Sequence, residues 1–194
     1  MQTLIAIPLT VLWGFFAIAH IVTFKATGNV GLLTFAIAET LIAAFFLLRT
    51  RPKTFSTNAH EWVIGVLGTF LPLLLRPTSG TPALAAELIM IFGSAILIFG
   101  VLSLNYSFAI IPALREIKTK GMYRFVRHPI YLSYLISLSS YLSANTSTEN
   151  FLVVLCTFGL LIARIYFEER HLSLTPEYRA YQKRIRWRLI PFVF

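Results

Sequence analysis

Six apolar stretches separated by short polar ones make up most of the chain. Residues 3–24 carry no charge, and His20 is their only ionisable group; such a run is long enough to cross a bilayer as a helix. Val30–Leu48 follows, with Glu39 near its middle. A shorter stretch, 62–75, is flanked by Trp62 and Arg76 as interfacial markers. Pro77, Gly80 and Pro82 then predict a turn before residues 83–104, which carry Glu87 at their start and Gly93 and Gly100 inside. Small residues at that spacing predict close helix packing. The last two stretches, 130–144 and 151–167, flank a polar turn at 145–150. At ~1.5 Å per residue the first of them reaches roughly 22 Å, short of the ~30 Å hydrocarbon core. The pair therefore reads as a short hairpin, tilted or incompletely spanning. The pattern as a whole predicts an all-α, polytopic membrane bundle of five to six hydrophobic helices forming one domain, 1–194.

Some positions carry expectations of their own. Pro8 predicts a kink in the first turns. His20, near a helix end, is expected at the membrane interface. Glu39 is costly in the bilayer, which leaves open a functional carboxylate and a protonated or hydrogen-bonded packing group. The amino terminus lacks a basic region and a small-residue cleavage site, so a signal peptide is not expected.

Composition supports the membrane reading: 57% of residues are hydrophobic and mean hydropathy is +0.73, where soluble domains hold roughly 45–50% apolar residues. The formal net charge is +9, but the cations sit beside apolar stretches, which points to an anionic membrane surface and away from nucleic acid. They also sort by loop. Residues 49–61, 105–128 and the tail from 168 are cation-rich, whereas 25–29, 76–81 and 145–150 carry one cation or none. Both termini and the central loop are accordingly expected on the cytoplasmic side. Cys156 is the only cysteine, which excludes an internal disulfide or a cysteine-rich metal site; it is expected to pack inside its helix.

Candidate chemistry concentrates in KTKGMYRFVRHPIY, Lys118 to Tyr131, the densest mixture of cations, aromatics, Gly and Pro in the chain. Pro129 predicts a helix start and holds His128 out of the helical conformation, aiming its imidazole away from the helix. Arg127 and His128 at a helix amino terminus favour a bound carboxylate or phosphate. Lys120 and Arg124 read as membrane anchors. A second constellation lies in the tail, where Arg164 and Glu168 are four residues apart on one helical face. On their own they read first as a helix-end ion pair, but they lie on the same side as the His128 loop, which brings them into the candidate site. There is no GxGxxG, P-loop or HExxH motif, and Asp is absent from the chain, which excludes the usual carboxylate clusters for hard cations, so no metal site is expected.

TKGMYRFVRHPIY, then EERHL after an apolar hairpin, then TPEYRAYQKRIRWRLIP resembles the catalytic half of isoprenylcysteine carboxyl methyltransferases and the related membrane phospholipid N-methyltransferases, over residues 115–192. The layout is most similar to compact prokaryotic members. Residues 1–104 match only as generic transmembrane helices, and 105–194 correspond to the cofactor-binding and catalytic half. The resemblance implies S-adenosyl-L-methionine held on the cytoplasmic side by Arg115, Glu116, Ile117, Lys118, Tyr123, His128 and Glu168. REIK at 115–118 replaces a more apolar segment of the eukaryotic enzymes, so backbone contacts are expected there. Arg164 takes the position of the family's substrate-contacting arginine.

The chemistry fits these residues independently. The cofactor offers an ammonium, a carboxylate, an adenine and a sulfonium; Glu168, the helix start at His128, and Tyr123 or Tyr131 complement them. Arg164 suits an acidic acceptor through its paired donors, giving methyl transfer to the carboxylate of a prenylated cysteine or similar lipid-tailed acid drawn from the bilayer. An amine acceptor would instead need a base such as Glu169 or Glu39. Two other classes share parts of the pattern: membrane reductases using NADPH, with a similar RHP-x-Y, and a non-enzymatic membrane scaffold.

Overall fold

The computed structural model describes residues 2–48, 50–78, 82–107 and 109–194, so Arg49 and the turn residue Gly80 lie outside the described residues. The described residues are mostly helical: α1 (Gln2–Thr27), α2 (Val30–Leu48), α3 (Ala59–Phe70) continued by a 3-10 turn (Leu71–Leu74), α4 (Leu84–Leu104), α5 (Pro129–Ala144), α6 (Thr148–Leu172) and α7 (Pro176–Arg184). One feature departs from an all-α expectation, an antiparallel pair of two-residue strands, β1 (Thr54–Phe55) and β2 (Ala113–Leu114). It satisfies backbone groups of two loops that meet over the bundle, with Lys53 N donating to Leu114 O at 2.8 Å and Ser56 N to Pro112 O at 2.9 Å.

Helix ends shift from the apolar pattern where polar side chains cap them. Asn58 Oδ1 accepts from His60 N at 2.9 Å and starts α3 earlier than the apolar run does. Ser147 accepts from Asn150 N and begins α6, which then runs on through the charged residues 168–171 for 25 residues in all. The hairpin is therefore asymmetric rather than short throughout: α5 has 16 residues, but α6 is long enough to span. By length and composition two described segments can cross a membrane, Leu84–Ser107 and Thr148–Leu172, while Val11–Thr27, Val30–Phe45 and Ala59–Leu74 are shorter apolar helices.

Neighbouring helices run in the order α1, α2, α4, α5, α6, α3. Phe35, Met90, Leu97, Leu138 and Tyr141 are fully buried where they meet. Gly93 and Gly100 let α4 lie close on α5: a Cβ on Gly93 would fall 2.9 Å from Ser137 N, and one on Gly100 would fall 3.1 Å from Ile130 Cγ1. Glu87 Oε1 accepts from Val30 N at 2.6 Å and so caps α2 from α4.

His20 does not face outward from the bundle. It is fully buried, with Nδ1 donating to Phe16 O at 2.8 Å and Nε2 accepting from the Tyr141 hydroxyl at 3.0 Å; a carbonyl can only accept, which fixes the tautomer. Glu39, also fully buried, faces two donors, the Tyr134 hydroxyl and the Trp13 indole, so its carboxyl joins α2 to α5 and α1. Cys156 does not pack inside the bundle but is exposed on α6.

Candidate active site

A concave cleft opens where α5 begins and α6 ends, the shape of surface at which small molecules bind. One wall is the loop before α5. There Gly121 has φ +61°, a conformation L side chains rarely adopt, and its Cα lies so close to Ser103 that a Cβ would stand 2.9 Å from Ser103 Cβ. The turn it starts, Gly121–Arg124, buries Tyr123 against α7, where the Tyr181 hydroxyl donates to Tyr123 O at 2.7 Å. Burial, and then the nearby charge of Glu168, holds the Tyr123 phenol well above the usual tyrosine range; burial raises Tyr178 and Tyr181 likewise. The opposite wall is residues 113–118, pinned by β2 and by Arg115 Nε, which donates to Thr50 O at 2.9 Å. Glu116 pairs with Lys118 at 2.6 Å, and that bond and charge pull the exposed Glu116 carboxyl below its ordinary range.

The floor is built from two glutamates that face different ways. Glu169 is buried and held by three cations or donors: Arg127 in a two-pronged pair at 2.6 and 3.1 Å, Arg188 Nε at 2.9 Å and His128 Nε2 at 3.1 Å. The carboxy-terminal strap that carries Arg188 also accepts Arg127 N at Trp187 O and His128 N at Arg188 O, both at 2.9 Å, while Arg127 Nη1 donates to Ile185 O and Arg186 O. Loop, α6 and strap thus form one clasp. Glu168, its side chain 17% exposed, lines the cleft with one oxygen 3.7 Å from His128 Nδ1. The His128 ring lies flat on Tyr131, centroids 5.4 Å apart and 5° between planes, so it folds back over the first turn of α5 instead of pointing away from it. The Tyr131 hydroxyl faces both Glu168 and Arg164, and the Arg164 guanidinium lies over the Tyr131 ring at 5.2 Å.

All nine residues singled out from the sequence, Arg115, Glu116, Ile117, Lys118, Tyr123, His128, Tyr131, Arg164 and Glu168, border this one cleft. Other expectations change. Arg127 does not await an external anion, because Glu169 already supplies one. For the same reason Glu169 is not free to act as a base. Lys120 and Arg124 are exposed, off the cleft. Sequence reasoning missed the clasp and the burial of Tyr178 and Tyr181 beside Tyr123; the available signal was the excess of cations at 183–188, of which Arg188 meets Glu169 on another element.

The donor set fits S-adenosylmethionine. With Nε2–H given to Glu169, the lone pair of His128 Nδ1 and the Glu168 carboxylate both accept toward the same space, and an ammonium would satisfy both. Leu104, Ile117 and Leu172 offer an apolar slot beside them.

Two helices long and apolar enough to cross a membrane, with a cleft lined by charged, aromatic and apolar side chains at the end of the bundle, fit a membrane protein with a small-molecule site. Residues 80–179, just over half of the chain, match the phospholipid methyltransferase family, and the chain belongs to it. That family includes the isoprenylcysteine carboxyl methyltransferases and its members use S-adenosylmethionine, so the chain is a membrane methyltransferase. Among curated proteins none matches the chain significantly.

Proposed function

We propose that the protein transfers a methyl group from S-adenosylmethionine to the carboxylate of a lipid-tailed acid such as a prenylated cysteine. The observation that carries this reading is Arg164, only 6% exposed yet bordering the cleft, with its buried Nε lacking a hydrogen-bond partner among the described residues. Arg127 and Lys118 are neutralised by Glu169 and Glu116. Among the described residues Arg164 has no carboxylate so committed to it, and an acceptor anion would supply one.

S-adenosylmethionine, when bound, supplies an electrophilic methyl on a sulfonium, and a carboxylate accepts it without giving up a proton. Glu168 and His128 would hold the cofactor's ammonium, and Tyr123, Ile117 and Leu172 would exclude water around its apolar part. Arg164, one turn further along α6 toward the bundle, orients the acceptor head while the tail remains among apolar helices. Catalysis by these residues is orientation and desolvation. Support for a multi-pass arrangement with the cleft on the cytoplasmic side comes from the sorting of cations among the loops. The family's phospholipid members favour a second reading, an amine acceptor, which would arrive protonated and need a base.

Purified protein given labelled S-adenosylmethionine and either N-acetyl-S-farnesylcysteine or phosphatidylethanolamine vesicles separates the two. Methylation of the farnesylated acid, and its loss in Arg164→Lys with cofactor affinity retained, is expected, because an ammonium cannot reproduce the guanidinium's paired donors. Methylation of the vesicles alone makes the acceptor an amine, and loss of cofactor binding in Arg164→Lys moves that residue to the cofactor pocket.

A further inference from the structure

We propose that Gly68 and Thr69 of α3 are positioning residues for methyl transfer, setting the direction in which Arg164 presents its donors; this rests on the acceptor-binding role of Arg164 proposed above. Both lie outside the segment matched by the family, in the half of the chain that reads as generic helices. Thr69 is buried, and its hydroxyl gives its own proton to Gly65 O at 2.9 Å. The oxygen lone pairs are therefore turned outward, and one accepts from Arg164 Nη1 at 2.9 Å. A hydroxyl free to rotate would hold the guanidinium loosely; this one is oriented by its own helix.

Gly68, one residue earlier, provides the room. A Cβ there would stand 2.9 Å from Arg164 Cδ and 3.4 Å from Leu160 Cβ, so any side chain at this position moves the arginine stem. On the other side, Tyr131 covers the guanidinium face, and Ala109 O lies 3.5 Å from Nη2. The placement of α3 against α6 is itself tied by the ion pair of Glu61 with Arg170. Thr69 anchors one edge of the guanidinium and Gly68 the stem, which leaves Nε and the remaining Nη hydrogens for an anion. Neither residue borders the cleft, so both act through Arg164.

The test compares Thr69→Val, Thr69→Ser, Gly68→Ala and Arg164→Lys in the full-length protein in detergent. Titration with S-adenosylmethionine gives cofactor affinity, methylation of N-acetyl-S-farnesylcysteine and of phosphatidylethanolamine vesicles gives kcat and KM, and 15N-arginine spectra give the Arg164 Nε–H signal, assigned by its absence in Arg164→Lys. Expected are a shifted Nε–H signal in Thr69→Val and Gly68→Ala, a fall of about 10- to 100-fold in kcat/KM for the acceptor, the size of one lost hydrogen bond to a charged group, and unchanged cofactor affinity. Thr69→Ser, which keeps the hydroxyl, restores signal and turnover. An unmoved Nε–H signal in both Thr69→Val and Gly68→Ala overturns the inference whatever the acceptor proves to be. So does a parallel loss of cofactor affinity and melting temperature, which marks a merely structural role. If Arg164→Lys lowers acceptor turnover and the α3 variants do not, the positioning role is wrong and the acceptor site stands. If Arg164→Lys leaves acceptor turnover intact, the acceptor site falls, and the positioning role with it.

Discussion

Glu168 and Glu169 are separated by roughly 100° around their helix, and that rotation turns Glu168 to the cleft and Glu169 into the scaffold. Glu169 lies inward among Arg127, Arg188 and His128; its removal would leave Arg127 buried and uncompensated, a loss of about 3–5 kcal/mol for a buried pair. Glu169→Ala is therefore expected to lower the melting temperature and abolish cofactor binding together. Glu168→Gln should leave melting nearly unchanged and abolish binding in calorimetric titration; an unchanged affinity would remove Glu168 from the site. His128→Ala is expected to weaken the cofactor more than Lys120→Ala, since His128 stacks on Tyr131 in the cleft while Lys120 stands outside. Equal effects would reduce both to membrane anchors. That Glu168, His128 and Arg164 meet at one cleft was legible, because motif spacing places His128 at a helix start and the i, i+4 rule places Arg164 and Glu168 on one face. Glu169 as a clasp and Thr69 as a hydrogen-bond acceptor were not, because their partners are 42 and 95 residues away and no local pattern encodes such a meeting.

At the scale of elements, the apolar stretches fixed where helices lie, and polar caps fixed where they end. Val30–Leu48 was read to the residue, whereas α6 outran its apolar stretch because Ser147 starts it early and charged residues continue it helically. The docking of α7 against Tyr123 was not visible in the pattern, since aromatic residues in a polar tail give no direction. That docking makes a pH-dependent prediction. The folded state binds the phenolic protons of Tyr123, Tyr178 and Tyr181 more tightly than the unfolded chain does, so their contribution to stability is complete below the ordinary tyrosine value of about 10. It is lost as pH rises from there through the raised folded values. Absorbance at 295 nm should show these tyrosines ionising above the free amino acid's midpoint, in step with loss of cofactor affinity. Tyr181→Phe, which deletes the bond to Tyr123 O, should cost about 1 kcal/mol; no change in melting would mean α7 is held by packing alone.

For the whole molecule, the position of the cleft constrains how the bundle sits across a bilayer. The cleft draws on the 113–118 loop, the start of α5, the end of α6, and α7, all at one end of the bundle, while the 145–150 turn joins the other ends of α5 and α6. Cations follow the same division, five in residues 105–128 against none in 145–150, so the end that carries the cleft is expected to be cytoplasmic, where a charged soluble cofactor could reach it. Single cysteines placed at Lys120 and Thr146, both exposed, in a Cys156→Ser background report each end separately. An impermeant maleimide added to intact cells should label Thr146→Cys and leave Lys120→Cys untouched, and inverted membrane vesicles should reverse the pattern. Labelling of Lys120→Cys from outside would place the cleft on the far side of the membrane. Labelling of both from one side would mean that the α5–α6 hairpin enters and returns without crossing, leaving the 25-residue α6 tilted in a single leaflet, and the bilayer route proposed for the acceptor's tail would have to be redrawn around it.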